Sequence, residues 1–168
     1  MKFIGNSLEA IYWPEILKEL KKQQGDIMLS ITKKDFVLQR KNFQLQNPWN
    51  ILRLIAGAFF IPHALSKVVN GALNPGIVGF FDKAGFHPPE FWVTLAFLAE
   101  MVCGIALILG ICTRFAALGA GFTLLIAVYA LQVVKGFGWL WNFGGYEYPV
   151  FWAIVCFSVS IHAFQERR

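Results

Sequence analysis

Charge is scarce in this chain. Asp, Glu, Lys and Arg make up 15% of its 168 residues, against about 25% in an ordinary soluble domain. Cysteine is scarcer still, with three in all. Cys103 and Cys112 lie nine residues apart on one expected helix, too far to bridge each other, and Cys156 falls in another. A disulfide framework and a metal-ligand spacing are both excluded by that pattern, and the three read as small packing residues. Catalytic motifs are missing as well. There is no Gly-rich phosphate loop, no Gly-x-Ser-x-Gly and no pair of histidines on one helix face. The three histidines, His63, His87 and His162, fall in separate places, which argues against two of them holding a haem. The first 30 residues are charged and lack an apolar signal core.

What is present is apolar sequence. Hydrophobic residues make up 57% of the chain. A bilayer core about 30 Å thick needs about 20 such residues per helical span. Four stretches meet or approach that length: roughly 50–69, 91–111, 114–134 and 147–164. They show almost no polar face, as a soluble amphipathic helix would. The expected fold is all-α, a polytopic membrane protein with a four-helix transmembrane bundle over 48–168. Residues 1–47 form a cytoplasmic or interfacial extension. At this length one membrane domain is expected.

The net charge of +5 sorts by side rather than forming a nucleic-acid groove. Nine of the 15 basic residues lie at or before Arg53, Arg114 lies between spans two and three, and Arg167 and Arg168 end the chain. Lys67, Lys83 and Lys135 are left for the opposite side. The positive-inside rule puts both termini and the second loop in the cytoplasm. Nucleic acid is not an expected partner; the lipid bilayer is.

Residues 1–47 differ in composition from the rest. "WPEILKELKKQQGD" reads as a short helix with Pro14 in its first turn, lysines near its end and Gly25 as its stop. Trp13, Ile16, Leu17 and Leu20 give it an apolar side, suited either to anionic headgroups or to a partner subunit. "DIMLSITKKDFVLQRKNFQLQN" alternates weakly, a pattern for short strands. Trp49 and Trp152 suit the two interfacial belts. Pro62 should kink span one and free a carbonyl near Ala58 or Phe59. "NPGIVGFFDKAGFHPPEFW" is too apolar for a loose loop. Asn74 caps and Gly85 ends a short interfacial helix there. In span three, Ala116, Gly119, Ala120 and Gly121 allow close helix approach.

Polar residues inside the membrane mark the candidate site. Glu100 is the one acid in an apolar run from Phe91 to Cys112. His63 lies ten residues beyond Arg53 and Glu100 ten before Gly110, so each sits about 15 Å from the cytoplasmic side. A buried Glu100–His63 pair is expected, with Lys67 one turn further out. Arg53, Phe60, His63 and Lys67 share one helical face. Two readings stand: a pocket that passes protons or binds a polar head such as a quinone carbonyl, or a lock between helices. Arg53 and Arg114 suit cytoplasmic anchors whose heads reach water. Glu147 suits the dipole of span four, or an outer gate with Lys67 or Lys135.

These residues carry a resemblance. "RLIAGAFFIPHALSKV", "AEMVCGIALILGICTRFAAL" and "GGYEYPVFW" resemble the DoxX family of small bacterial membrane proteins. The pattern matches at Arg53, Leu54, Gly57, His63 and Lys67. It continues at Glu100, Gly104, Leu107, Gly110, Thr113 and Arg114, then at Gly144, Gly145 and Glu147. It covers about 50–165. Ala64 stands where the family usually has glycine, and the extension of about 47 residues is outside the usual pattern. The resemblance implies a four-helix bundle in the bacterial inner membrane. Through the small subunit of a thiosulfate:quinone oxidoreductase, it also implies a subunit of a membrane oxidoreductase complex. Glu100 and His63 would bind a quinone head, with Arg53 and Arg114 at the cytoplasmic end. An assembly subunit docking partners through residues 1–47, and a small transporter or proton path, are the alternatives.

Overall fold

In a computed structural model of the chain, residues 14–22, 25 and 29–166 are described. Trp13, Arg167 and Arg168 lie outside the described residues. Residues 14–22 are helical (α1). Gly25, read from sequence as the stop, is itself helical, as is Leu29. Two single 3-10 turns follow, Lys33–Phe36 and Arg40–Phe43, where weak alternation suggested strands. Thr32 and Asp35 explain the first. The Asp35 carboxylate accepts from the Thr32 backbone N–H at 2.7 Å and from its hydroxyl at 3.2 Å, a capping box that closes a turn and competes with extended pairing.

Helix α2 spans Pro48–Leu65. It starts where Asn47 Oδ1 accepts from the Trp49 N–H at 3.0 Å, with Pro48 in the first position. Span one was expected to run to residue 69. The helix stops at Leu65 because a two-stranded hairpin takes over. Val68–Val69 (β1) pairs antiparallel with Ala72–Leu73 (β2). Asn70 and Gly71, with φ of +53° and +78°, make the two-residue turn. Asn-Gly favours this geometry because both central residues must adopt positive φ. Helix α3, Pro75–Lys83, is the expected short helix, with Asn74 Oδ1 accepting from the Gly76 N–H at 3.0 Å.

Helices α4, Pro89–Leu109, and α5, Thr113–Lys135, are joined by the tight turn at Gly110, whose φ is +71°. Helix α6 spans Glu147–Gln165. Helix α2 lies against α4, and α5 against α6. The first pair meets at two glycines. A Cβ on Gly57 would lie 2.8 Å from the Gly104 carbonyl and from Leu107 Cβ; a Cβ on Gly104 would lie 3.1 Å from the Gly57 carbonyl. Only a missing side chain on each helix permits that approach. In the second pair, Gly121 lies under the Phe157 ring, which a Cβ would meet at 2.5 Å. Ala117 and Ala120 are fully buried beside it.

The outer faces are apolar. Phe91, Leu98, Val102, Phe122, Phe151 and Ile154 are all more than half exposed. So much exposed hydrocarbon is untenable in water and is what lipid covers. Helices α4, α5 and α6, of 21, 23 and 19 residues, are long and apolar enough to cross a membrane. Helix α2 has 18 residues and carries Asn50, Arg53, Pro62 and His63, which keeps it outside that set.

Candidate functional site

Glu100 does have a partner, but it is not the imidazole. Lys67 Nζ stands 2.5 Å from Glu100 Oε2, and both side chains are nearly buried. Chain geometry at the end of α2 explains the exchange. The helix stops at Leu65, so the His63 carbonyl loses its helical N–H partner. Ser66 Oγ donates to that carbonyl at 2.7 Å and Lys67 Nζ at 3.2 Å. Folding back to reach it brings the ammonium across to α4. The ammonium thus bridges the end of one helix and the carboxylate on another. His63 instead faces Trp152, with ring centroids 5.3 Å apart.

The pair lies on the wall of a cavity of about 580 Å³ between α2, α3, α4, α5 and α6. His63 also lines it, so His63, Lys67 and Glu100 share one space although only two of them pair. The remaining wall is mostly ring and aliphatic surface, including Phe60, Phe81, Phe86, Leu124 and Trp152. A charged couple at the edge of an apolar, head-sized cavity matches the general make-up of small-molecule sites.

Trp152, placed by sequence in the interfacial belt, is 5% exposed. Its ring packs on Phe60, with centroids 4.3 Å apart, and on Tyr148 at 5.6 Å. Its indole Nε1 is buried without a hydrogen-bond partner. Such a donor on a ring that lines the cavity is a functional signal that the amino-acid sequence alone does not show, because Phe60 and His63 beside it come from another helix.

Arg53 and Arg114 do not reach for water. Both are buried, at 3% and 2% exposure, and both stand apart from the Glu100 cavity. The Arg53 guanidinium donates to the carbonyls of Leu107, Ile108 and Asn42. Gly110 ends α4, and a cation from α2 adds donors to the last helical carbonyls, of which Leu107 already accepts from the Gly110 N–H at 3.2 Å. Arg114 donates to the Ser30 carbonyl at 2.6 Å and lies 3.4 Å from the Asp35 carboxylate. With Asn42 Nδ2 donating to the Gly110 carbonyl at 3.1 Å and the Cys112 N–H to the Asp35 carbonyl at 2.8 Å, these contacts strap residues 30–47 across the α4–α5 turn. Asp35 and Asn42 were not singled out from sequence.

Glu147 begins α6 and accepts from the Trp141 N–H at 3.4 Å. Among the described residues it makes no ion pair with Lys67 or Lys135. It borders a groove with Trp139, Trp141, Phe151 and Tyr148, which His63 also lines. The six sequence candidates therefore divide into three places: the cavity pair with His63, the two strap arginines, and Glu147.

Three apolar helices long enough to cross a membrane, whose hydrocarbon faces outward, with an ion pair on an inner wall, define an all-α membrane protein. The DoxX family model matches residues 49–133, 85 of the 168, and the chain belongs to that family. The match takes in Arg53, Gly57, His63, Lys67, Glu100, Gly104 and Arg114, and stops short of α6. No curated protein and no solved structure matches the chain.

Proposed function

We propose that this DoxX protein is a subunit of a quinone-linked oxidoreductase complex in the bacterial inner membrane. Its inner cavity takes the polar head of a lipid-soluble quinone. In this reading α2 is a fourth crossing, both termini are cytoplasmic, and residues 1–47 form an extension distinct from the membrane unit. The observation that carries it is the Lys67–Glu100 pair on the wall of an otherwise apolar cavity. A buried ion pair is seldom the most stable filling for a helix interface, so its presence beside a ligand-sized space favours use over structure. The ammonium donates to a ring carbonyl, and the carboxylate accepts from the hydroxyl of the reduced form. The Trp152 N–H supplies a second donor. The chain carries no redox group of its own in this scheme; electrons arrive from a partner subunit.

The test is direct. Protein purified in mild detergent is titrated with a short-tailed benzoquinone, reading tryptophan quenching, alongside Glu100→Gln. Saturable binding that weakens at least tenfold in the variant is expected. Equal binding in both proteins removes the pair from the site. A scaffold reading is favoured by a separate feature: Ile16, Leu17 and Leu20 on α1 are about half exposed. Deleting residues 1–28 leaves the strap in place and, on that reading, releases the partner subunits.

A further inference from the structure

A second cavity, of about 240 Å³, lies under the strap at the end of the bundle away from Glu100. It is enclosed by residues 34–53 on one side and by the α4–α5 turn and the end of α6 on the other. Polar and apolar atoms share its wall about equally, whereas the first cavity's wall is mostly apolar.

Among the described residues, charge in this wall does not balance. Four cations among those residues border it, Lys34, Lys41, Arg53 and Arg114, and two carboxylates, Asp35 and Glu166. Both carboxylates are engaged: Asp35 lies 3.4 Å from Arg114, and Glu166 3.5 Å from His162. Lys34, Lys41 and Arg53 have no carboxylate partner among the described residues. Arg53 is the telling member, because it is 3% exposed and its acceptors are all neutral carbonyls. Carbonyl dipoles offset only part of a full charge withdrawn from water. Exposed lysines alone would mean little, but here they line the same cavity as a buried guanidinium. The His162 ring, stacked on Trp49 with centroids 4.4 Å apart and 11° between planes, adds a flat, rigid part of that wall.

We propose that this cavity is an anion site for a phosphate group, held by Arg53 together with Lys34 and Lys41 of the same wall. A guanidinium and two ammonium groups suit a tetrahedral oxyanion, whose several oxygens accept charge-assisted hydrogen bonds. The site owes nothing to the quinone reading, since it shares no residue with the Glu100 cavity. Phosphate chemistry has two sources here, a free anion and the phosphodiester of a membrane lipid headgroup.

The experiment compares the full-length protein with Lys34→Gln/Lys41→Gln in mild detergent. Both lysines are exposed, so the variant keeps its fold. Melting temperature is followed by tryptophan fluorescence while sodium phosphate is titrated against sodium chloride at matched ionic strength. The same melts are run in micelles doped with phosphatidylglycerol or with phosphatidylcholine. A saturable rise with phosphate over chloride is expected, with half-saturation about fivefold higher in the variant, the effect of losing two exposed charge contacts. If phosphatidylglycerol, but not phosphatidylcholine, gives the rise and abolishes the response to phosphate, the headgroup is the occupant. If the phosphate response persists in phosphatidylglycerol, the free anion is. No rise over chloride with either ligand, or an identical response in both proteins, overturns the proposal.

Discussion

Replacing Glu100 by Gln tests whether the Lys67–Glu100 pair is truly withdrawn from solvent. The two side chains are 10% and 12% exposed and 2.5 Å apart. At an effective dielectric of about 20, opposite charges at that distance attract by roughly 7 kcal/mol, most of it offset by the desolvation of both groups. Removing one partner does not cancel this balance; it leaves the desolvation of the other uncompensated, at a cost of about 3–5 kcal/mol. For a chain of this size each kcal/mol shifts the melting temperature by about 2–4 °C. Glu100→Gln is therefore expected to melt roughly 6–20 °C below wild type in the same detergent, read by tryptophan fluorescence. The double change Lys67→Met/Glu100→Leu removes both charges and fills a similar volume. It should recover most of that loss, since a buried pair and its apolar replacement differ little. Quinone binding then separates the two roles. A pure lock predicts that the double variant melts and binds like wild type, and a ligand site predicts that it melts like wild type and does not bind. A Glu100→Gln protein melting within 1 °C of wild type would refute the burial reasoning outright.

Two further predictions address residues that sequence reading valued differently. Gly57→Ala places a methyl group 2.8 Å from the Gly104 carbonyl and Leu107 Cβ. It should destabilise the bundle by about 1–3 kcal/mol by overpacking, measured by the same melts, and a wild-type melting temperature would mean the α2–α4 crossing is looser than described. Trp152→Phe keeps an aromatic ring against Phe60 but deletes the buried, unpartnered N–H. Without ligand its stability should match or slightly exceed wild type, while benzoquinone affinity falls about fivefold or more, the worth of one hydrogen bond. Unchanged affinity would remove Trp152 from the site.

The membrane character and the long helices were legible from composition and run length, because the bilayer imposes both. Local punctuation was legible in part: Asn74 caps α3 and Gly85, with φ of +86°, follows its end, whereas the cap at Asn47 and the stop at Gly110 were not singled out. The hairpin at Asn70–Gly71 was missed although its signal was local, because the apolar residues 68–69 read as a continuation of span one. The partner of Glu100 was missed for a different reason. Depth counting treats α2 as one straight helix through Lys67, and on that assumption His63 is the nearer group. Two residues of turn after Leu65 alter which side chain arrives, and no spacing rule in the sequence encodes a lysine that bends back to close its own helix end.

The arginines show where single-residue reasoning fails most. Lys or Arg near a helix end ordinarily keeps its charge in water, and nothing at Arg53 or Arg114 alone says otherwise. Burial is decided by what lies above them. Residues 30–47 cross the α4–α5 turn and cover most of both guanidiniums, and each finds oxygen acceptors inside the protein. Arg53 takes the end of α4, and Arg114 takes Ser30 and Asp35. The glycine contact between Gly57 and Gly104 makes this possible, since a wider α2–α4 separation would carry Arg53 away from the Leu107 and Ile108 carbonyls. The same close crossing sets the distance that Lys67 must span to Glu100. One pair of missing side chains thus positions both polar clusters, and a bulky residue at either glycine should loosen the strap and the ion pair together.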